Sequence, residues 1–182
     1  MVRNFIKGFS IYQLMIITLL AALGIAIKTI IGPLVRLFTG PMFIPGGVVA
    51  GGIYMLFLVL AVSLTGKKSA GLLCGFVQAL IVLITGFGGH HGPLTLVSYT
   101  LPGLTILVLL LLMRHDGCCN ICCFFMGMLA NLTGTLIIGA VFFALPWIPL
   151  LLSLCASSLS GGLGGLLSWT FTKQIKKLGV IG

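Results

Sequence analysis

Six long apolar runs, separated by short breaks, occupy most of this 182-residue sequence. The runs cover residues 12–31, 48–64, 69–86, 94–113, 119–144 and 150–171, and each reaches or approaches the ~20 residues that a helix needs to cross a bilayer. The breaks are Gly/Pro clusters or charged segments, such as TGKK, GFGGHHGP and LPWIP. The sequence therefore predicts an all-α integral membrane protein of six transmembrane helices, the first of which is retained rather than removed as a signal peptide.

Charged residues are too few to cover a water-facing surface. They make up 6% of the chain, whereas an ordinary soluble domain carries about 25%. Asp116 is the single acidic residue, which argues against carboxylate proton relays and two-carboxylate catalysis. The basic residues are scattered among the breaks and form no stripe that would bind nucleic acid. We expect one transmembrane domain over residues 1–182, without catalytic activity of its own.

The basic residues also predict how the chain crosses the membrane. If both termini lie on one side, that side holds most of the basic residues, and the opposite side holds only Lys28 and Arg36. The first group consists of Arg3, Lys7, Lys67, Lys68, Arg114, Lys173, Lys176 and Lys177. Because cytoplasmic loops are enriched in Lys and Arg, we expect both termini to be cytoplasmic. The His90–His91 pair then faces outward.

The longest break and the small-residue pairs add further expectations. Residues 32–47 contain Pro33, Pro41 and Pro45, which predicts irregular backbone that is buried or lines a cavity. Ala22 and Ala26 are spaced one helical turn apart, and such pairs let helices approach closely. Similar spacing is found in Gly47/Gly51 and Gly161/Gly165, for which packing within the chain is the simpler interpretation.

The first apolar run reads TLLAALGIAIK from Thr18 to Lys28 and contains the Ala22-x-x-x-Ala26 pair. With six compact helices in about 180 residues, the chain resembles the substrate-binding S components of energy-coupling factor (ECF) importers. The resemblance implies a compact S-component bundle in the plasma membrane of a prokaryote. It also implies a transmembrane coupling subunit that docks on Ala22 and Ala26. Two cytoplasmic ATPases on separate chains would supply the energy, since this sequence has no phosphate-binding Gly-x-x-x-x-Gly-Lys motif.

The resemblance places the substrate site at the outward loops and outer helix ends. The residues that we predict to bind the substrate there are His90, His91, Lys28, Arg36, Phe43, Phe87, Tyr99 and Trp147. These segments contain no acid, whereas a cationic ligand would normally be given a carboxylate or an aromatic cage. An anionic ligand fits better, because Lys28 or Arg36 would pair with a carboxylate or phosphate. His90 or His91 would add an axial bond to a metal.

Haem, or a related anionic tetrapyrrole, would use all of these groups and is the preferred substrate. No intrinsic cofactor is expected. The stretch from Pro45 through Gly92-Pro93 to Gly103 looks like the hydroxymethylpyrimidine-binding S components, so a vitamin or precursor such as thiamine is the alternative. A bare metal ion is less favoured, because two neighbouring imidazoles alone make a sparse site. A membrane-embedded enzyme and a stand-alone carrier are more distant hypotheses.

Simpler interpretations remain for several of these residues. The His pair is flanked by Gly-Gly and Gly-Pro and would also suit a polar turn. Lys28 and Arg36 would also suit contact with lipid head groups. The stretch Cys118-Cys119-Asn-Ile-Cys122-Cys123 invites comparison with a zinc site or a redox switch. Helix-start packing is preferred for it, because the predicted cytoplasmic side keeps thiols reduced.

Overall fold

Six helices, antiparallel in succession, account for nearly all of the described chain. The computed structural model describes residues 8–39, 46–86, 92, 94–114 and 119–179. We number the helices in chain order: α1 (Ile11–Thr39), α2 (Gly46–Thr65), α3 (Ala70–Thr85), α4 (Leu94–Leu112), α5 (Asn120–Ile137) and α6 (Trp147–Lys177). A π-helical turn, Ile138–Phe142, continues α5. The prediction of six helices is confirmed, and no strand occurs within the described ranges.

Five of the helices are long and apolar enough to cross a membrane. These five spans are Ile11–Val35, Val48–Thr65, Leu94–Leu112, Asn120–Val141 and Trp147–Lys177. The remaining helix, α3, is also apolar but has 16 residues. At 1.5 Å per residue its length is about 24 Å, somewhat less than the ~30 Å hydrocarbon core. The chain is therefore a multi-pass membrane protein.

The first helix is longer than its sequence predicts. The run 32–47 was expected to be irregular, but α1 continues through Pro33 to Thr39 and α2 begins at Gly46, so this expectation is wrong for residues 32–39 and 46–47. Proline removes one backbone hydrogen bond from a helix, and membrane helices tolerate this loss because neighbouring helices and side chains compensate. Phe43 and the other residues of 40–45 lie outside the described ranges.

Helix α2 forms the centre of the bundle. It contacts α1, α3, α5 and α6, and makes a smaller contact with α4. From Leu56 to Thr65 every residue of α2 is buried. Helix α1 lies at one edge, against α2 and α3, and α6 lies at the other edge, against α2 and α5. Apolar side chains on the outside, such as Leu19 on α1 and Leu163 on α6, are exposed, as suits helices that are solvated by lipid.

Glycine allows the backbones of α2, α5 and α6 to touch. A Cβ added to Gly165 of α6 would lie 2.0 Å from the carbonyl oxygen of Cys123 in α5. One added to Gly161 would lie 2.4 Å from the carbonyl oxygen of Gly127. The Gly161/Gly165 pair therefore serves packing within the chain, as its spacing indicated.

The start of one helix lies beside the end of the next, as antiparallel packing requires. Near the start of α1, Gln13 Nε2 donates to the carbonyl oxygen of Thr65, the last residue of α2, at 3.2 Å. We call the end at which α1 begins and α6 finishes the predicted inner end. The opposite end, where α2, α4 and α6 begin, is the predicted outer end. These names follow the distribution of basic residues in the sequence.

Candidate functional site

A lysine held between two tyrosines lies inside the bundle. Lys28 Nζ of α1 donates a hydrogen bond to the Tyr99 hydroxyl of α4. The same ammonium lies 4.1 Å from the centroid of the Tyr99 ring and 5.4 Å from that of Tyr54 in α2. Both distances are within the ~6 Å range of cation–π attraction. We call Lys28, Tyr54 and Tyr99 the lysine–tyrosine cluster.

The cluster lies in the half of the bundle nearer to the predicted outer end. Tyr99 is five residues after the start of α4, Tyr54 is eight after the start of α2, and Lys28 is eleven before the end of α1. At 1.5 Å per residue these positions are about 8–17 Å from the helix ends. All three side chains are partly buried. Lys28 therefore points into the protein, and its ammonium is directed toward aromatic rings rather than toward lipid head groups.

Small residues on the neighbouring helices position the cluster. A Cβ added to Gly75 of α3 would lie 2.5 Å from the backbone carbonyl oxygen of Tyr99, so only glycine lets α4 approach α3 this closely. Gly32 lies one turn beyond Lys28 on α1, and a Cβ there would be 3.8 Å from the Tyr54 hydroxyl. The backbone of three helices thus places the tyrosines around the ammonium.

Two further polar side chains lie close to the cluster. Gln78 of α3 is buried against Gly24, which precedes Lys28 by one turn of α1. Thr100 follows Tyr99, and its hydroxyl is buried without a hydrogen-bond partner among the described residues. Polar groups inside a membrane bundle are costly and commonly mark a binding site or a transport path. Together these side chains make the region polar in an otherwise apolar bundle.

Of the substrate residues predicted from the sequence, the structure brings together Lys28 and Tyr99. Arg36 lies on α1, about two turns beyond Lys28. Trp147 begins α6 and is 76% exposed, outside the lysine–tyrosine cluster. His90, His91, Phe43 and Phe87 lie outside the described residues, so their predicted roles stay predictions. Within the described ranges, no three His, Cys, Asp or Glu side chains come together as a metal site.

Sequence reasoning missed Tyr54, Gln78 and Thr100. Tyr54 and Gln78 interrupt runs that are otherwise aliphatic or small, and this interruption was the signal available. Sequence alone places each residue on one helix but not on a particular face of the bundle. The positions of Tyr54 and Gln78 next to α1 follow from how α2 and α3 pack beside that helix.

The pair Ala22 and Ala26 lies on the outer surface of α1. Both residues are exposed, whereas Ala21 and Ile25 on the adjacent face of the helix are buried in the core. Exposed Leu19, Leu23 and Ile30 lie beside the pair and extend the apolar surface. Small residues on an exposed helix face allow a second membrane helix to approach closely.

Comparisons with known proteins give two results. The model of a family described as "ABC-type cobalt transport system, permease component" matches residues 12–133. A solved structure described as an S-component of an ECF transporter superimposes with a TM-score of 0.78. The alignment covers 94% of this chain and 88% of the other, at 21% identity, and shows the same fold. No curated protein matches the chain. The predicted S-component-like fold is thus confirmed.

Proposed function

Because the chain belongs to the family of ABC-type cobalt transport system permease components, we propose that it captures the substrate of an ECF-type importer. The family match spans residues 12–133, and the S-component fold extends over most of the chain. Such a subunit binds its substrate within the membrane and catalyses no reaction. A transmembrane coupling subunit and two ATPases on separate chains complete the importer, and the exposed Ala22/Ala26 surface is where the coupling subunit docks.

The lysine–tyrosine cluster carries the proposal on substrate class. The Lys28 ammonium lies within the bundle, 4.1 Å from the centre of the Tyr99 ring, and is positioned to receive an anionic group. A carboxylate or phosphate that reaches this depth needs a charged partner, because an isolated ion is strongly disfavoured there. The tyrosine rings add flat apolar surface against which an aromatic ligand stacks. An anionic, flat micronutrient satisfies both features.

The family description names cobalt, and the charge of the site supports a metal enclosed in an anionic ligand rather than a bare metal ion. A bare divalent cation would be repelled by Lys28, and the whole sequence offers one carboxylate side chain, Asp116. A metal inside a tetrapyrrole already has four ring nitrogens as ligands, so the protein supplies an axial ligand and partners for the acidic arms. We therefore propose haem, or a related anionic metal-containing tetrapyrrole, with His90 or His91 as the axial ligand. A bare cobalt ion is the second candidate, on the family description alone.

Ligand binding to the purified chain in detergent tests the substrate class. Haemin should bind with a shifted Soret band, and Lys28→Met should weaken this binding by roughly tenfold or more, since a hydrogen bond to a charged group contributes about 1.5–3 kcal/mol. Lys28→Arg keeps the charge and is the matched control. If Co²⁺ or thiamine binds and haemin does not, or if Lys28→Met binds haemin as well as the unchanged protein does, the proposed substrate class is wrong.

A further inference from the structure

A cysteine pair with Cys-x-x-Cys spacing lies at the start of α5, far from the lysine–tyrosine cluster. Cys119 is the N-cap residue of α5, and Cys122 lies in its first turn. The Cys119 side chain is partly exposed, whereas Cys122 is 3% exposed. The membrane-crossing segment begins at Asn120, so the pair lies at its edge, at the predicted inner end. Neither side chain takes part in the proposed substrate site.

The backbone at this helix start brings the two residues into contact. The N–H of Cys122 donates to Cys119 Sγ at 3.3 Å, and the N–H of Cys123 donates to the Cys119 carbonyl oxygen at 3.0 Å. The first turn is therefore closed. Residues three apart in such a turn have Cα atoms about 5 Å apart, within the 4.4–6.8 Å that a disulfide requires. The two sulfurs can thus be joined without unwinding α5.

From this arrangement we infer that Cys119 and Cys122 form a redox-active dithiol, with Cys119 as the nucleophile and Cys122 as the resolving thiol. Thiolates attack disulfides, so the reaction begins at the cysteine that solvent reaches and that the helix start stabilises as an anion. The N–H of Cys122, followed by other amides of the same turn, holds the pKa of the Cys119 thiol below its ordinary value despite partial desolvation. The buried Cys122 reacts second, from inside the turn.

The co-reactant is a low-molecular-weight disulfide. The Cys119 thiolate attacks one of its sulfurs, forms a mixed disulfide and releases one thiolate. Cys122 then loses its thiol proton to solvent and attacks Cys119 Sγ, which releases the second thiolate. The two released thiolates take up two protons, so that one dithiol and one disulfide give one protein disulfide and two small thiols. The reverse reaction restores the dithiol, as a reducing cytoplasm would.

The pair is placed where its oxidation would affect helix packing. The next residue, Cys123, approaches Ser63 of α2, with Sγ 3.5 Å from the serine Oγ. Its carbonyl oxygen lies against Gly165 of α6, where even a methyl group would not fit. A disulfide in this turn would therefore act on the junction of three helices. Helix-start packing buries Cys122 and Cys123, whereas Cys119 caps the helix through its sulfur and stays partly exposed.

Incubation of the full chain, in detergent, with glutathione disulfide tests the inference. After the remaining thiols are alkylated, peptide mass spectrometry should find Cys119 joined to Cys122 in most molecules. Cys122→Ser should instead accumulate glutathione on Cys119, because the resolving thiol is gone, and Cys119→Ser should form neither product. Cys118→Ser and Cys155→Ser are the matched controls and should behave as the unchanged chain does.

Three results would overturn the inference. These are a disulfide that joins a different pair, a Cys119 that stays reduced while other cysteines react, or equal glutathione adducts with and without Cys122. If Cys122→Ser fails to give a folded, monodisperse protein, Cys122→Ala retains the apolar packing of the site and gives the same trapped adduct. These outcomes do not depend on which substrate the importer carries, so failure here leaves the proposed function untouched.

Discussion

Asn131 of α5 shows how one polar side chain joins three helices. Its Nδ2 donates to the carbonyl oxygen of Ser157 in α6 at 2.8 Å and to that of Val48 in α2 at 3.4 Å. The residue is 2% exposed, and glycine at position 51 makes room for it, since a Cβ there would lie 1.9 Å from Oδ1. The hydrogen bonds of Asn131 therefore join α5 to both of these helices.

Asn131→Ala should lower the thermal stability of the purified protein. Interhelical hydrogen bonds in membrane proteins contribute about 0.6 kcal/mol on average and up to ~1.7, and the shortened side chain also leaves a small cavity. We therefore expect a loss of about 1–3 kcal/mol, measured as a lower unfolding midpoint in detergent. Asn120→Ala, at the exposed start of the same helix, is the matched control. An equal effect of the two substitutions would contradict the assigned role of Asn131.

Other residue-scale features depended on information that the sequence lacks. Lys28 and Tyr99 could be predicted as site residues because both lie near the predicted outer ends of their apolar runs, and a cation is rare in so apolar a chain. Tyr54 could not, since α2 could have turned it toward lipid. Its direction is fixed by packing, in which Gly51 and Gly52 face α5 and α6 while Tyr54 faces α1. Such rotation about a helix axis is decided by close backbone contacts.

At the scale of the element, α1 has two different faces. Ile17, Ala21 and Ile25 recur at intervals of four residues and are buried against α2 and α3. Ala22 and Ala26 lie on an adjacent side of the helix and are exposed. Because α1 is at an edge of the bundle, this small-residue surface is open to another membrane protein. The exposure is the one observation beyond the sequence pattern that supports docking of the coupling subunit.

The combined substitution Ala22→Leu and Ala26→Leu should abolish transport while leaving substrate binding intact. Two larger side chains on this surface would separate α1 from the coupling subunit, but in lipid they leave the core of this chain unchanged. Uptake of labelled substrate by cells that contain the complete importer measures the first effect, and binding to the purified chain measures the second. Ala140→Leu, also small-to-large at an exposed position, is the control. Loss of binding in the double variant would count against the docking assignment.

Element boundaries were predictable where charge or glycine ends a helix. The α2–α3 break at Gly66 and Lys67 and the start of α5 near residue 119 agree with the sequence. The proline-rich break predicted over residues 32–47 did not agree with the structure. Pro33 alone cannot end a helix whose flanking residues are held by the membrane and by neighbouring helices. The π-helical turn after Ile137 also had no distinct signal, since it differs from an α-helix only by one extra residue in its turns.

For the whole molecule, orientation in the membrane decides whether the lysine–tyrosine cluster faces the substrate supply. The cluster lies nearer to the end at which α2, α4 and α6 begin, and the opposite end holds most of the basic residues in the sequence. Positive-inside asymmetry therefore predicts that the cluster opens outward. If the orientation were reversed, the same cluster would face the cytoplasm, and capture from outside would be impossible.

Labelling at the two ends of α6 tests this orientation. Ile148 and Leu178 lie at opposite ends of α6 and are 74% and 77% exposed, so we expect cysteines placed there to be reached from opposite sides of the membrane. A membrane-impermeant maleimide added to intact cells should modify Ile148→Cys, and should modify Leu178→Cys only after permeabilisation. Cys119 should likewise be modified only after permeabilisation, since it lies at the same predicted inner end as residue 178. Peptide mass spectrometry distinguishes each of these sites from the other native thiols. The reverse labelling pattern would mean that the protein has the opposite orientation in the membrane. Lys28 would then be reached from the cytoplasm, and the proposed capture of substrate from outside would have no basis.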